Sequence, residues 1–180
     1  MQPKNISVPP NVRRWLATLI LAMLAALLGK YQRPPLNSPG VEPGEVVSGS
    51  VKFVDGDSFF VGSKEVRLKG IDAPEGRQTC QREGRPWACG EAARGELQRL
   101  VAGRTVSCEV LEMDQHSRIL ARCRAGETDM NRAMVASGMA VSYGDYVKEE
   151  TAARIARRGL WAGEFEQPRA WRRRNGIGLK

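Results

Sequence analysis

The chain has 180 residues, of which 28 are Lys or Arg and 20 are Asp or Glu, so its net charge is +8 at pH 7. This length predicts one domain or two small ones, and the basic excess favours an anionic partner such as nucleic acid or a membrane surface. Because His116 is the single histidine, the composition excludes a multi-histidine metal site and argues against a Ser-His-Asp hydrolase. Hydrolytic chemistry here must therefore depend on carboxylates and arginines, with or without a hard metal ion.

The first 30 residues predict a targeting segment that is separate from the folded domain. Arg13 and Arg14 precede an uncharged run, WLATLILAMLAALLG at 15–29. As a helix this run is about 22 Å long, short of a hydrocarbon core of about 30 Å. We expect an N-terminal apolar helix that acts as a signal peptide or an uncleaved membrane anchor at residues 12–30, with the domain periplasmic or secreted. A buried core helix is the alternative, which the lack of a polar face disfavours.

A proline-rich stretch separates this segment from the rest of the chain. Between Pro34 and Gly44 the sequence holds four prolines and two glycines, which predicts a stiff, unpacked linker and a globular domain that begins near Val46. The C-terminal residues RAWRRRNGIGLK are basic, and we expect them to be frayed. The predicted boundaries are a signal segment at 1–30, a linker at 31–45, a globular domain at 46–163 and a basic tail at 164–180.

Within the globular part, the hydrophobic pattern changes between strand and helix periods and shows no internal repeat. Val51 and Phe53 begin an alternating strand, and Gly62-Ser63 predicts a two-residue turn between SFFV and KEVRLKGID. Apolar residues at helical spacing predict three helices. The predicted strands lie near 51–53, 58–61, 64–72, 104–111 and 118–123, and the predicted helices lie within 90–103, 129–138 and 148–159. We therefore expect an α+β domain built on a compact barrel or a curled sheet.

The four cysteines favour disulfides over a zinc site. Cys80, Cys89, Cys108 and Cys123 are separated by 9, 19 and 15 residues, without the closely spaced pairs of a zinc site. Cys108 and Cys123 fall in two strands whose antiparallel pairing turns both toward one side. We predict the disulfides Cys80–Cys89 and Cys108–Cys123, formed in an oxidising compartment. Four reduced, buried thiols remain the alternative.

Four carboxylates and two arginines concentrate around one predicted hairpin. Hard cations such as Ca²⁺ prefer clusters of carboxylate oxygens, and arginines opposite such a cluster can bind a phosphate through two donors. Glu75 follows the rigid Ala73-Pro74 pair and can deprotonate an attacking water. The alternative is a solvated acidic turn, which is common at protein surfaces. The residues of this cluster are Asp55, Asp57, Arg67, Asp72, Glu75 and Arg118.

Taken together, these residues resemble the staphylococcal nuclease (thermonuclease) family. The family pattern consists of an acidic D-G-D-[ST] turn, an R-L-x-x-[IV]-D-x-P-E strand end and a D-x-x-G-R-x-[LV]-A hairpin. The corresponding segments here are DGDS at 55–58, RLKGIDAPE at 67–75 and DQHSRILA at 114–121. The Asn of DMNRAMVASGMA and the GLW at 159–161 match further family landmarks. The resemblance covers residues 46–162.

The resemblance implies a five-stranded OB-type β-barrel with three helices. It also implies Ca²⁺-dependent hydrolysis of phosphodiester bonds in DNA and RNA. The site residues that it implies are Asp57, Asp72 and the backbone carbonyl of Ala73 for Ca²⁺, Asp55 close to the metal, Glu75 as the base that activates water, and Arg67 and Arg118 as phosphate ligands.

Three departures from the family pattern lie close to these residues. Ser117 replaces the usual glycine before Arg118, which demands an unfavourable φ. Ala73 replaces a common threonine, so a hydroxyl near the metal is lost while the carbonyl remains. Gln115-His116 replaces a lysine-tyrosine pair, which weakens contacts to one substrate phosphate. We interpret His116 as an exposed turn residue rather than a catalyst.

Two tyrosines extend the resemblance to the substrate. Tyr143 and Tyr146 fall near the family's base-stacking tyrosines, and half-buried residues at the barrel edge are the alternative interpretation. The leading hypothesis is an exported, monomeric nuclease that acts on DNA and RNA and favours single strands. A catalytically inactive OB-type module that binds single-stranded nucleic acid is the alternative. A membrane-tethered interaction domain is the third hypothesis.

Overall fold

The computed structural model describes residues 41–177 and, before them, only Met23. The chain divides into two units, 1–40 and 41–180. Apart from Met23, the predicted apolar helix at 12–30 lies outside the described residues, as does most of the predicted linker. Within the described part of the chain, no helix has both the length and the apolar composition that crossing a membrane requires.

A curled, nearly closed β-sheet forms the centre of the domain. Its strands follow the order β1-β8-β9-β4-β3-β2, with β10 paired to β9 and with two separate strand pairs, β5 with β11 and β6 with β7. The strands are β1 Val46–Gly49, β2 Val51–Phe53, β3 Ser58–Val61, β4 Lys64–Leu68, β5 Ile71–Asp72, β6 Cys80–Arg82, β7 Arg85–Trp87, β8 Val106–Met113, β9 Ile119–Ala125, β10 Thr128–Asp129 and β11 Val141–Ser142.

The bend between β1 and β2 closes this sheet. The two strands are separated by Ser50 alone, yet β1 pairs with β8 at one end of the order and β2 pairs with β3 at the other. Counted as one bent strand, they give with β3, β4, β8 and β9 the five long strands of an OB-type barrel. Around the barrel, β4 and β9 pair in parallel, whereas the other pairings are antiparallel. The structure thus has the OB-type barrel that the resemblance implies.

The core of the barrel follows from strand alternation. Along β9 the residues at 119, 121, 123 and 125 are buried, and those at 122 and 124 are exposed, as a strand with one core face requires. Cys108 and Cys123 lie directly opposite each other in β8 and β9, with their Cα atoms 4.0 Å apart, and form a disulfide. A second disulfide joins Cys80 to Cys89, with a Cα–Cα distance of 5.6 Å. Both predicted disulfides are therefore present.

Four α-helices surround the barrel in the described residues, one more than the sequence analysis predicted. They are α1 Cys89–Val101, α2 Met130–Ala136, α3 Val147–Ile155 and α4 Pro168–Arg174, and a 3₁₀ turn covers Gly159–Ala162. Asp129 caps α2, since its carboxylate accepts a hydrogen bond from the backbone N–H of Arg132 at 3.0 Å. In the first turn of α2, Asn131 is fully buried and donates to the carbonyl of Lys69, just after β4, and to that of Ala121 in β9.

Helix α4 lies in the segment that was expected to be a frayed tail. Pro168 is buried and occupies the start of the helix, where its fixed φ favours the helical conformation. The last turn carries Arg172, Arg173 and Arg174, whose charges interact favourably with the C-terminal end of the helix dipole. The expectation of a frayed tail is therefore wrong for residues 168–174, because local helix signals and packing order this segment. The start of the domain near Val46 remains a prediction.

Tertiary contacts hold the segment that leads into α4. Gln81 and Glu164 exchange two backbone hydrogen bonds, at 2.8 and 2.9 Å. The ring of Phe165 packs edge-on against Trp161, with the centroids 4.9 Å apart. These side chains join a small apolar cluster around the Cys80–Cys89 disulfide. The disulfide-linked hairpin β6–β7 therefore supports the segment from which α4 starts.

Candidate active site

The loop between β2 and β3 brings Asp55 and Asp57 to one end of the barrel. The carboxylate of Asp55 accepts a hydrogen bond from the backbone N–H of Asp57 at 3.1 Å, which is an Asx turn. Asp57 is 1 % exposed. Its carboxylate accepts hydrogen bonds from the Ser58 hydroxyl at 2.8 Å and from the Ala73 backbone N–H at 3.0 Å. Asp57 therefore connects the acidic loop to the strand end that carries Asp72.

Arg67 bridges the two buried aspartates. Ser58 lies opposite Arg67 in the β3–β4 pairing, so the preceding residue, Asp57, comes within reach of the guanidinium. Nη2 of Arg67 donates to Oδ2 of Asp57 and to Oδ1 of Asp72, each at 2.8 Å. Burial lowers the pKa of Arg67, but the charges of the two aspartates outweigh it and raise the pKa above its usual value. Arg67 therefore remains a cation between two carboxylates.

Glu75 occupies a turn that two other elements hold in position. The backbone N–H of Gln78 donates to the Glu75 carbonyl at 2.7 Å, and the Gly90 N–H at the start of α1 donates to the Gln78 carbonyl at 3.1 Å. A Cβ on Gly90 would collide with the Glu75 carbonyl oxygen, so only glycine permits this close approach of the helix. The buried side chain of Gln78 also donates to the Glu166 carbonyl at 2.7 Å. Gln78 thereby joins the Glu75 turn to the C-terminal segment.

Arg172 of α4 contacts the carboxylates of both Asp72 and Glu75. Its Nη1 and Nη2 donate to Oδ1 and Oδ2 of Asp72 at 2.8 and 3.0 Å. Nη1 also donates to Oε1 of Glu75 at 3.0 Å. The side chain of Arg172 is 22 % exposed and that of Asp72 is 9 % exposed. This two-donor ion pair is therefore largely shielded from water.

Burial is the largest influence on the pKa values of Asp55 and Asp72. It raises the pKa of Asp55 to about 7, with the negative charge of Asp57 as the second cause. Burial also raises the pKa of Asp72, although the contacts with Arg172 and Arg67 oppose this. For Arg172, burial lowers the pKa, but the hydrogen bonds and charges of Asp72 and Glu75 outweigh it, so the pKa lies above its usual value. Arg172 is therefore a permanent cation in the site.

The turn between β8 and β9 presents Arg118. The carboxylate of Asp114 accepts from the backbone N–H of His116 at 2.8 Å, and from the backbone N–H and the Nε of Arg118 at 2.9 and 2.8 Å. Burial raises the pKa of Asp114, but these hydrogen bonds outweigh it and lower the pKa below its usual value. Ser117 has a φ of 62°. The unfavourable φ predicted at this position is therefore present.

We expect Ser117→Gly to raise the free energy of unfolding by about 0.5–1 kcal/mol, because glycine removes the Cβ strain of a left-handed residue but adds chain entropy to the unfolded state. Urea unfolding of the two proteins measures this difference. Ser117→Ala is the control, since alanine also removes the hydroxyl but keeps the Cβ. Equal stabilisation by alanine and glycine would show that backbone strain is not the cause.

One cleft of about 1160 Å³ collects most of the site residues that the sequence analysis named. Asp57 and Ala73 lie behind the cleft wall and are 1 % and 3 % exposed. Helix α4 contributes a further wall that the sequence analysis did not include. The cleft is lined on one side by Asp55, Arg67, Asp72, Glu75, Arg118 and Tyr143, and on the other by Gln167, Arg169, Arg172 and Arg173.

The two candidate stacking residues differ in exposure. Tyr143 is 55 % exposed and lines the cleft. Tyr146 is 4 % exposed and belongs to the barrel core. Burial raises the pKa of Tyr146, and a hydrogen bond with Arg122 opposes this. In this structure only Tyr143 can stack on a ligand in the cleft, so the alternative of a buried tyrosine applies to Tyr146.

The comparisons with known proteins identify the family. The family described as "Staphylococcal nuclease homologue" matches residues 65–163. The chain belongs to the staphylococcal nuclease family. It is 32 % identical over 136 residues to an uncharacterized endonuclease of Escherichia coli, and this alignment covers 69 % of the chain and 83 % of that relative.

Two eukaryotic relatives are longer than the matched region. A probable staphylococcal-like nuclease of Oryza sativa subsp. japonica is 32 % identical over 129 residues, which is 67 % of this chain and 24 % of the relative. A probable endonuclease of Verticillium alfalfae is 31 % identical over 143 residues, which is 68 % of this chain and 49 % of the relative. The chain thus spans about a quarter of the rice protein and half of the fungal one.

Sequence reasoning missed two residues that contact the residues of this cleft. Gln78 lies three residues after Glu75 but outside the motif. Its only signal in the sequence is that it is itself a polar residue shortly before Cys80. Arg172 lies beyond the matched region 65–163, in a run of arginines that resembles a solvated tail. Pro168 four residues earlier was the available signal for a helix start.

Proposed function

We propose that the protein is an exported nuclease that hydrolyses phosphodiester bonds of DNA and RNA. The observation that carries the proposal is one cleft in which Arg67 and Arg118 face the same space as Asp72 and Glu75. Cations that bind phosphate and a carboxylate that accepts a proton are what hydrolysis of a phosphodiester requires. Two of the relatives carry the name endonuclease, which supports cleavage within a strand.

We infer that Ca²⁺ is the cofactor. The donor chemistry suits a hard cation, because Asp57 and Asp72 supply carboxylate oxygens. In this structure both carboxylates are buried and paired with arginines. In the part of the chain that the structure describes, no group of three or more His, Cys, Asp or Glu side chains lies close enough together to hold a metal ion. We propose Asp57, Asp72 and the Ala73 carbonyl as ligands, with Asp55 close to them. When bound, Ca²⁺ would supply positive charge next to the scissile phosphate.

The residues around the cleft have distinct proposed roles. Arg67 and Arg118 bind non-bridging phosphate oxygens and neutralise the charge that develops in the transition state. Glu75 accepts the proton of the attacking water. Tyr143 stacks on a base, which gives affinity without sequence preference and favours single strands. Asp114 orients Arg118 by accepting hydrogen bonds from its backbone N–H and its Nε.

Export is proposed from residues outside the described fold together with the disulfides. Arg13 and Arg14 before the apolar run 15–29 are typical of a signal peptide or signal anchor. Two disulfides are typical of proteins in oxidising compartments. We therefore propose a periplasmic or secreted protein, held at the membrane if residues 12–30 are not cleaved, that acts as a monomer.

A cleavage assay on the oxidised protein tests this function. Single-stranded DNA and RNA are incubated with Ca²⁺ and, in parallel, with EGTA. We expect fragments with Ca²⁺ and intact strands with EGTA. The Arg118→Gln variant is the matched control for a contaminating nuclease, because it removes one proposed phosphate ligand while leaving the buried aspartates unchanged.

One observation favours the second candidate, an inactive module that binds single strands. Arg172 donates a hydrogen bond to Glu75, so the proposed base is engaged by a cation in this structure. If the protein binds single-stranded DNA tightly but leaves it intact with Ca²⁺, the binding module replaces the nuclease as the function.

A further inference from the structure

Arg172 joins Asp72 and Glu75 through its guanidinium. Its guanidinium makes three hydrogen bonds to these two carboxylates, at 2.8 to 3.0 Å. Both residues have proposed roles in hydrolysis, one as a metal ligand and the other as the base. Arg172 itself lies beyond the family match at 65–163. A residue outside the family motifs is therefore bound to the centre of the site.

The hydrogen bonds leave Asp72 with little capacity for another ligand. Its Oδ1 accepts from Arg67 and from Arg172, and its Oδ2 accepts from Arg172. A carboxylate oxygen has two lone pairs, so Oδ1 is saturated. A divalent cation would also lie against a positively charged guanidinium in a site with little water. Oδ2 accepts from Arg172 alone and keeps one lone pair, so a cation bound there would lie directly against the Arg172 guanidinium. Metal binding at Asp72 and the Arg172 contact therefore oppose each other.

The position of Arg172 is not that of a loose surface side chain. Pro168 is buried at the start of α4, and the Gln78 side chain donates to the Glu166 carbonyl at 2.7 Å. In the last turn, Arg174 forms an ion pair with Glu166, at 2.7 Å. These contacts direct the face of α4 that carries Arg172 toward the cleft. The same face carries the exposed Arg169, one turn earlier.

We propose that Arg172 is an internal competitor of the divalent cation, so that α4 sets the cation affinity of the site. Binding of the cation at Asp72 requires Arg172 to withdraw, which also releases Glu75 to accept a proton. The proposal rests on the proposed function, since it assumes a cation at Asp72.

Calorimetric titration of Ca²⁺ into the full chain, without nucleic acid, tests the competition. We expect Arg172→Gln to lower the dissociation constant for Ca²⁺ by about tenfold or more, which is 1.4 kcal/mol per factor of ten. Arg169→Gln is the matched control, because it removes the same charge from the same face of α4 without removing a contact to Asp72. Its effect on the Ca²⁺ affinity should be much smaller. The sign is diagnostic, since loss of a merely supporting arginine would weaken Ca²⁺ binding.

Amide hydrogen exchange of the unmutated protein gives a second measurement that does not depend on a variant folding correctly. We expect Ca²⁺ to accelerate exchange in residues 168–174, because withdrawal of Arg172 loosens α4. Unchanged exchange in this segment under saturating Ca²⁺ would overturn the proposal.

The possible outcomes separate this proposal from the proposed function. Equal or weaker Ca²⁺ affinity in Arg172→Gln, with Ca²⁺-dependent cleavage by the unmutated protein, overturns the competition and leaves the nuclease intact. Absence of Ca²⁺ binding in both proteins overturns the competition together with Ca²⁺ as the cofactor. Tighter binding in Arg172→Gln without cleavage by either protein supports the competition and overturns the nuclease.

Discussion

Glu75→Gln is expected to slow phosphodiester cleavage by about 10²–10⁴-fold, the range typical of a lost general base. Glutamine has the shape of glutamate and keeps an oxygen that can accept the hydrogen bond from Arg172, so the cleft should keep its geometry. It cannot take up the proton of an attacking water. The loss should therefore appear in kcat measured on single-stranded DNA at saturating Ca²⁺, while the dissociation constant for the DNA changes little.

Glu65→Gln is the matched control for this prediction. Glu65 lines the same cleft, so the substitution removes one negative charge from the surroundings of the substrate without touching the proposed base. Its cleavage rate should stay close to that of the unmutated protein. If Glu75→Gln cleaves as fast as Glu65→Gln, Glu75 is not the base.

The barrel could be predicted because its signals are local. Alternation along 118–123 and the turn at Gly62-Ser63 define strands from neighbouring residues alone, and the structure has strands at these positions. The Cys108–Cys123 pairing follows from the same strand register. The acidic loop, Arg67 and Glu75 come together because Ser58 pairs with Arg67 across one hairpin, which brings the motif into one cleft.

Arg172 could not be predicted in this way, because its partner Asp72 is 100 residues away in sequence. A run such as RAWRRR has only two apolar side chains, which are adjacent, and it has no evident core face, so its pattern indicates a solvated tail. Tertiary contacts order this segment. Trp161 and Phe165 pack around the Cys80–Cys89 disulfide. The Gln78 side chain donates a hydrogen bond to the backbone carbonyl of Glu166. None of these contacts produces a periodic pattern in the sequence.

Tyr143 and Tyr146 show a choice that the sequence left open, between a stacking residue and a half-buried residue at the barrel edge. The resemblance places both tyrosines near a stacking position, but it does not say which way each ring points. Tyr146 directly precedes α3 and packs into the barrel core, whereas Tyr143 lies three residues earlier and is exposed. The short irregular segment between the two tyrosines turns one ring outward and the other inward. Its course depends on tertiary packing, which the sequence pattern does not show.

Asp57→Ala is expected to lower the free energy of unfolding by about 3–5 kcal/mol, the cost typical of breaking a buried ion pair. The substitution removes one of the two carboxylates that hold the buried Arg67 guanidinium. It also leaves the Ala73 backbone N–H and the Ser58 hydroxyl without their acceptor. Urea unfolding in EGTA measures this cost in the absence of any bound cation. Asp114→Ala is the control, and we expect a smaller loss because the side chain of Arg118 is 27 % exposed and keeps part of its hydration.

The same titration repeated in Ca²⁺ separates the two roles of Asp57. A ligand that binds only the folded state stabilises it in proportion to RT ln(1 + [L]/Kd), so the unmutated protein should gain stability from Ca²⁺. If Asp57 is a metal ligand, Asp57→Ala should gain much less. If both proteins gain equally, Asp57 only positions Arg67 and Ala73, and the cation is held without it. A full loss in EGTA combined with an equal gain in Ca²⁺ would therefore assign Asp57 to the framework of the site, since its oxygens already accept hydrogen bonds from three protein donors.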